Sequence, residues 1–477
     1  MGSDWPLKKF GDLFNIKHGF AFKGEYFTDV ETRYLLTTPG NFAIGGGFQN
    51  DKPKYYNGPI PDDYILNAGD IIVTMTDLSK ASDTLGNAAI VPEDSNIWLH
   101  NQRIGLLEFK DPTKSHPKFI SYLLRSYEYR SWIIGSATGT TVKHTSPRRI
   151  SEFGCPLPPL SEQKAIAHIL SSLDDKIELN RRMNATLEGM AQALFKSWFV
   201  DFDPVIDNAI LAGNSIPDEF AERAEVRRAM LDKKQNAEKE KSSLHNSSCN
   251  THHSLFPATF QLTEEMGWIP EGWEVIKSSS LFDVRDGTHD SPKQSATGKY
   301  LITSRHITGN TIDYSNAYLI SEEDFEQVNK RSKVDPYDIL LTMIGTVGSP
   351  FLVMEEEINF AIKNIGLFKT GVNRTLATYF FTYLKSDFMK AFMESRLAGT
   401  TQKYLTLKIL REIPIIIPRP ANMKGFGAQI LLIFDKIHSN NCEVNTLAKL
   451  RDTLLPKLIS GELRIPDAEK LTEEALV

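Results

Sequence analysis

Two stretches of the chain space their apolar residues by alternating intervals of four and three. In "LSEQKAIAHILSSLDDKIELNRRMNATLEGMAQALFKSWF" the series is Ile166, Leu170, Leu173, Ile177, Asn180, Asn184, Leu187, Ala191, Leu194 and Trp198. Near the C-terminus it is Phe426, Ile430, Ile433, Ile437, Asn440, Val444, Leu447, Arg451, Leu454 and Leu458. That spacing places each series on one narrow stripe of an α-helix, the seam of a coiled coil. A stripe about 35–40 residues long, roughly 50–60 Å, cannot be left in water. The pattern therefore predicts that the two helices pack on each other. Asn180 and Asn440 fall at equivalent points, so a polar notch that sets register is expected in both. Pro456 is expected to end or kink the second helix near Leu455.

Outside these helices the pattern changes to short apolar runs of strand character. "DIIVTM", "AAIV" and "IGLLEF" occur before the first helix, and "YLITS", "DILLTM", "FLVM" and "IGLFK" before the second. One helix is predicted near 116–134 and another near 375–397. The two sets align. Trp5 to Gly19 matches Trp273 to Gly287 at an offset of 268, and Gly69 to Met75 matches Tyr337 to Met343 at the same offset. From Gly139, matched to Gly399, the offset becomes 260 and holds through Pro158 and Pro418 to Asp175 and Asp435. A duplicated α+β architecture follows, with two similar mixed domains separated by two long helices. The boundaries read as 1–158, first domain; 159–200, central long helix; 201–270, connector; 271–418, second domain; 419–463, C-terminal long helix; 464–477, tail. In the connector, "DEFAERAEVRRAMLDKKQNAEKEK" reads as a solvated helix and "SSLHNSSCNTHHS" as a flexible loop.

Composition narrows the function classes. The net charge of -6 excludes a protein that coats nucleic acid by bulk charge. Cys155, Cys249 and Cys442 form no CxxC pair, which fits a reducing compartment, and Cys249 with His252 and His253 lacks a second ligand pair, so no metal site is expected. The opening "MGSDWPLKKF" has no apolar core of a signal peptide, and no run reaches the ~20 residues of a membrane span. Phosphate-loop, HExxH and GxSxG signatures are absent, as is the Asn/Asp-Pro-Pro-Tyr tetrapeptide of amino-methyltransferases. No catalytic residue is therefore assigned.

Charge is unevenly placed. No acidic residue lies between Glu128 and Glu152, or between Glu394 and Glu412, and both intervals hold Lys and Arg beside a Gly-Thr-Thr. Cations and hydroxyls of this kind hold a DNA backbone. The candidate phosphate contacts are Thr140, Thr141, Lys143, Arg148 and Arg149 in the first copy. In the second they are Thr400, Thr401, Lys403, Lys408 and Arg411. Asn41 in "TTPGNF" and Arg305 with His306 in "TSRHIT" sit at comparable places and are candidate base readers.

The passage "PLPPLSEQKAIAHILSSLDDKIELNRRMNATLEGMAQALFKSWFVDFDPV" resembles the central region of type I restriction-modification specificity subunits, and "LFP" followed by "IPEGWEV" resembles the entry to their second half. The resemblance runs along essentially the whole chain. It implies two target recognition domains, each reading half of an asymmetric bipartite DNA target, with the two long helices paired antiparallel as a coiled-coil spacer that holds the domains apart and sets the gap. It also implies a non-catalytic subunit that recruits two methyltransferase subunits and two restriction subunits in a bacterial or archaeal cytoplasm. S-adenosylmethionine would belong to the methyltransferase partner, and ATP and Mg to the restriction partner. The second helix lacks the "PLSEQ" start and a "KSWFVDFDP" counterpart. The alternative reading is a self-contained DNA methyltransferase or nuclease.

Overall fold

Ile71–Thr74, four residues that are all β-branched and all buried, form the centre of a four-stranded antiparallel sheet. Its order is Phe14–His18, Ile104–Phe109, Ile71–Thr74, Ala88–Ile90. The second copy builds the same sheet in the same order from Val284–Asp286, Ile365–Phe368, Ile339–Thr342 and Pro350–Leu352. Leu7–Lys9 pairs with Gly154–Pro156, and Glu274–Lys277 pairs with Pro414–Ile417. A parallel pair also recurs: Tyr34–Leu36 beside Ile97–Leu99, and Lys299–Ile302 beside Phe360–Ile362. The duplication inferred from sparse identities is thus a duplication of topology. The computed structural model describes residues 5–50, 52–77, 79, 82–240, 255–308, 311–400 and 402–476. They divide into a first unit, residues 1–181 with 442–477, and a second, residues 182–441.

The single helices expected near 116–134 and 375–397 are each two: Pro117–Leu123 with Tyr127–Gly135, and Arg374–Leu384 with Asp387–Glu394. The break is local chemistry. Ser126 accepts a bond from Tyr129 N and Ser386 one from Met389 N, so a serine N-cap restarts each helix.

The long helices run Leu160–Phe199 and Pro420–Ile459, 40 residues each. In the first unit Ile166, Leu170, Leu173 and Ile177 share a core with Leu447, Leu454 and Leu458. Lys176 meets Glu443 at 3.2 Å, and Asp174 meets Arg451 at 2.7 Å. In the second unit Asn184 Nδ2 donates to Asn441 Oδ1 and Asn440 Nδ2 donates to Asn184 Oδ1, both at 2.8 Å. Phe195 and Trp198 pack on Phe426. Numbers rise on one helix as they fall on the other, so within each unit the helices pair antiparallel.

Three details depart from the sequence reading. The polar notch at Asn440 is closed by Asn184, because antiparallel pairing matches residues about a crossing point rather than by repeat position; Asn180 is buried in the first unit. The seam also drifts. Leu187, Leu194, Ile433 and Val444 are only partly buried, while Phe195, Phe199 and Phe434 are buried beside them. A 3.6-residue helix turns steadily away from a 3.5-residue stripe. Finally, the C-terminal helix passes through Pro456 to Ile459. Leu454 and Leu458, both buried, hold the last turn against the core across the lost hydrogen bond.

The connector helix Ala221–Glu240 forms as expected, but not all its charges are solvated. Arg223 donates two 2.7 Å bonds to buried Asp203, and Arg227 donates to buried Asp207, both on the preceding helix Asp203–Ala212. Burial works against the Asp203 charge, yet bonds from Arg223 and Ser197 hold its carboxyl below the usual range. Cys249, His252 and His253 lie outside the described residues. The tail is the helix Ile465–Leu476, which buries Ala468 and Thr472 in the first unit. No helix among the described residues is long and apolar enough to cross a membrane.

Candidate nucleic-acid interface

The repeated Gly-Thr-Thr is the tip of a small hairpin. Thr138 and His144 exchange two main-chain bonds, of 3.1 and 2.9 Å, and Ala398 and Tyr404 exchange two of 2.9 Å. The turn requires glycine. Gly139 has φ +94°, and a Cβ there would stand 2.0 Å from Val142 O; Gly399 has φ +91°, with 2.2 Å to Gln402 O. Each hairpin is then docked on the end of the central strand, through Thr145 N to Met75 O and Leu405 N to Met343 O. Thr140, Thr141 and Thr400 are exposed at the tips, and Thr401 lies outside the described residues.

Other loops converge on the same sheet edge. Strand Ile104–Phe109 begins where Ile71–Thr74 ends, with Ile104 opposite Thr74. The turn before it is closed by Ile104 N to Asn101 O, 2.9 Å, and carries Gln102 and Arg103 at its tip. Met75 therefore lies between this turn and the hairpin: its N–H donates to Arg103 O and its carbonyl accepts from Thr145 N. In the second unit the same edge presents the hairpin, the turn Ile362–Ile365, and His289. The sequence reading missed Gln102, Arg103, Asn364 and His289. Only strand adjacency brings them to the hairpin, although the turn position just before an apolar "IGL" run was visible in both copies.

The predicted phosphate contacts separate into free and engaged groups. Lys143, Lys403 and Lys408 have no side-chain partner among the described residues, and the last two are exposed. Arg148 and Arg149 are drawn to Glu152, at 2.9 and 3.5 Å, and Arg149 also stacks 4.2 Å over Trp132. The bond from Arg148 lowers the Glu152 pKa. The acid that ends the basic interval thus neutralises much of it. Arg411 donates to Val284 O at 3.2 and 3.1 Å and acts as a strut.

Two of the candidate base readers are engaged in their own loops. Asn41 and His306 each sit at the third position of a short 3-10 turn capped by Thr38 and Thr303. Asn41 Oδ1 accepts from Thr38 N, and its Nδ2 donates to Gln49 O. His306 Nδ1 accepts from Thr303 N at 2.9 Å; burial, then the Arg305 charge, lowers its pKa. Both are buried and their polar atoms shape loops, which leaves little to offer a base. Arg305 remains exposed, with Nε 3.1 Å from His306 Nε2.

Residues 2–189 and 270–450, well over half the chain, match the type I restriction modification DNA specificity domain. The chain belongs to that family. It is 29% identical over 380 residues to the type I restriction enzyme HindI specificity subunit of Haemophilus influenzae, covering 73% of this chain and 77% of the relative. It is 25% identical over 472 residues to the EcoBI specificity subunit of Escherichia coli, covering 96% and 86%. Among solved structures it is similar to the S subunit of a type I restriction-modification system from M. genitalium, with 17% identity, 95% and 96% coverage and a TM-score of 0.48.

The motifs that carried the resemblance have structural work in this specificity-family chain. Gln163 of "PLPPLSEQ" is wholly buried: its Oε1 accepts from His116 N, and its Nε2 donates to Lys114 O and Pro158 O. It ties the first domain to the start of its helix. In "LFKSWFVDFDP", Phe195, Trp198, Phe199 and Phe202 form an aromatic core with Phe256, Trp273, Tyr379 and Phe426. These residues join helix and domain.

Proposed function

We propose that this chain is the non-catalytic DNA specificity subunit of a type I restriction-modification complex. Each unit reads one half of a bipartite target through its hairpin-and-turn sheet edge. The long helices, each of which contributes to both units, set the gap between half-sites. The observation that carries this reading is the duplicated edge. The support is the same in both units, a glycine hairpin docked on Met75 or Met343, while the exposed side chains differ. Equal scaffolds with unlike side chains suit unlike half-sites. Lys143, Lys403 and Lys408 would bind phosphates and release counterions, so affinity falls with salt. Two methyltransferase and two restriction subunits would complete the assembly in the cytoplasm, with S-adenosylmethionine held by the former and ATP and Mg by the latter. The target adenine would be flipped into the partner's pocket.

Co-expression with the methyltransferase partner, followed by mapping of methylated adenines, tests the reading. A two-part asymmetric motif with a fixed gap is expected. Methyl transfer or DNA cleavage by the purified chain alone would instead favour the self-contained enzyme.

A further inference from the structure

The turn Asn101–Ile104 is unusually well supported for a surface loop. Gln102 N donates to Phe20 O at 2.9 Å, Phe20 N to His100 O at 2.8 Å, Gly19 N to Ile104 O at 3.3 Å, and Met75 N to Arg103 O at 3.1 Å. Beneath it His100 is fully buried, with Nε2 donating to Ile104 O at 2.9 Å. Gly19 admits this crossing, since a Cβ there would lie 2.1 Å from Asn101 O. The tip is nevertheless free: Gln102 and Arg103 are exposed and have no side-chain partner among the described residues. Two other long cations of this unit are already engaged. Lys17 donates to Asp63 O, and Arg130 to the carbonyls of Ser82, Asp83 and Leu85.

The second unit keeps the support and changes the tip. Gly287 N donates to Ile365 O, Thr288 N to Ile362 O, and Asn364 N to Thr288 O. This turn is one residue shorter, with Asn364 in the left-handed region at φ 54°. Its Oδ1 lies 2.8 Å from His289 Nδ1, and Lys363 is drawn to Ser291. A rigid base with variable tips is what a base-reading element needs, because ordering a long side chain costs less when its backbone is already fixed.

We propose that Asn101–Ile104 is the base-reading turn of the first unit. Arg103 would take the N7 and O6 of a guanine, and Gln102 the N6 and N7 of an adenine, in the major groove of its half-site. The turn and the Lys143 hairpin flank one strand end, so they stand about 10 Å apart, two strand spacings. That matches contact with a base edge and with the phosphates that border a groove about 12 Å wide. The assignment rests on the specificity-subunit reading.

The test uses the full chain assembled with its methyltransferase partner, assayed on a library randomised in both half-sites over a salt series. Arg103→Ala is expected to lower preference for one guanine in one half-site by roughly ten- to a hundredfold, leaving the other half-site unchanged. Arg103→Lys should keep only part of that preference, because a flexible, strongly hydrated ammonium holds the two guanine acceptors less well than a planar fork. Gln102→Ala should relax one adenine. Uniformly weaker binding with a shallower salt slope, rescued by Arg103→Lys, would make Arg103 a phosphate contact and overturn the assignment. Unchanged preferences with unchanged melting would overturn it too. A wild-type complex with no bipartite preference would sink the specificity reading itself along with this turn.

Discussion

Gly139 and Gly399 do the same job at the same place in the two copies. With φ near +90° and a carbonyl about 2 Å from any Cβ, alanine at either position must reopen the hairpin. Each Gly→Ala change is expected to cost about 1–3 kcal/mol in urea unfolding and to weaken DNA binding by displacing Lys143 or Lys403. Lys143→Ala alone should leave stability intact, weaken binding equally on all sequences and reduce the salt slope by about one, as read by binding at several salt concentrations. His100 adds a pH dependence. Burial first, then the Lys17 charge, lowers its pKa to about 4. Between pH 6.5 and 4 the unfolded chain therefore takes up a proton that the folded chain refuses, and stability falls with acid by at most about 3 kcal/mol. Replacing His100 with Gln should flatten that part of the stability profile in urea titrations at pH 7 and pH 5.

At the scale of elements, the pairing of the long helices in the first unit is reinforced by one carboxylate. Asp174 accepts from Arg451 at 2.7 Å, Arg125 at 2.9 Å and Tyr122 Oη at 2.8 Å. It thus binds the helix pair to Tyr122 of the helix Pro117–Leu123 and to Arg125, two residues beyond that helix. Burial opposes its charge, but Arg125 and Arg451 outweigh this and depress its pKa. A depressed carboxyl stabilises above the unfolded pKa near 4, and that contribution is lost as pH falls through the folded value. Arg451→Ala is expected to cost about 1–3 kcal/mol at neutral pH, and less in acid where Asp174 is protonated. A loss that does not shrink at all as urea titrations are taken from pH 7 down through the carboxylate range would rule out this role. The second unit uses a related device with other residues: Lys385, at the repeat position of Arg125, meets Glu188 at 3.0 Å.

For the whole molecule, the heptad spacing and the methylation pattern are linked. Seven residues inserted into both long helices at matched heptad positions would keep the seam in phase and lengthen each by about 10 Å, or about three base pairs. The preferred gap between half-sites should grow by that amount in methylation mapping, with both half-sites unchanged; an unaltered gap would remove the spacer role. The sequence alone determined the two long helices, the duplication and the apolar runs that become the inner strands of each domain. Those features follow from periodicity and backbone conformation, which are properties of neighbouring residues. Only the tertiary structure decided which charges are available and which loops share an edge. Arg148 and Arg149 turn to Glu152, Asn440 finds Asn184 rather than its repeat mate, and Gln102 with Arg103 arrives beside a hairpin some forty positions away. Ion pairing and exposure depend on which strands and helices become adjacent, and no local pattern encodes that.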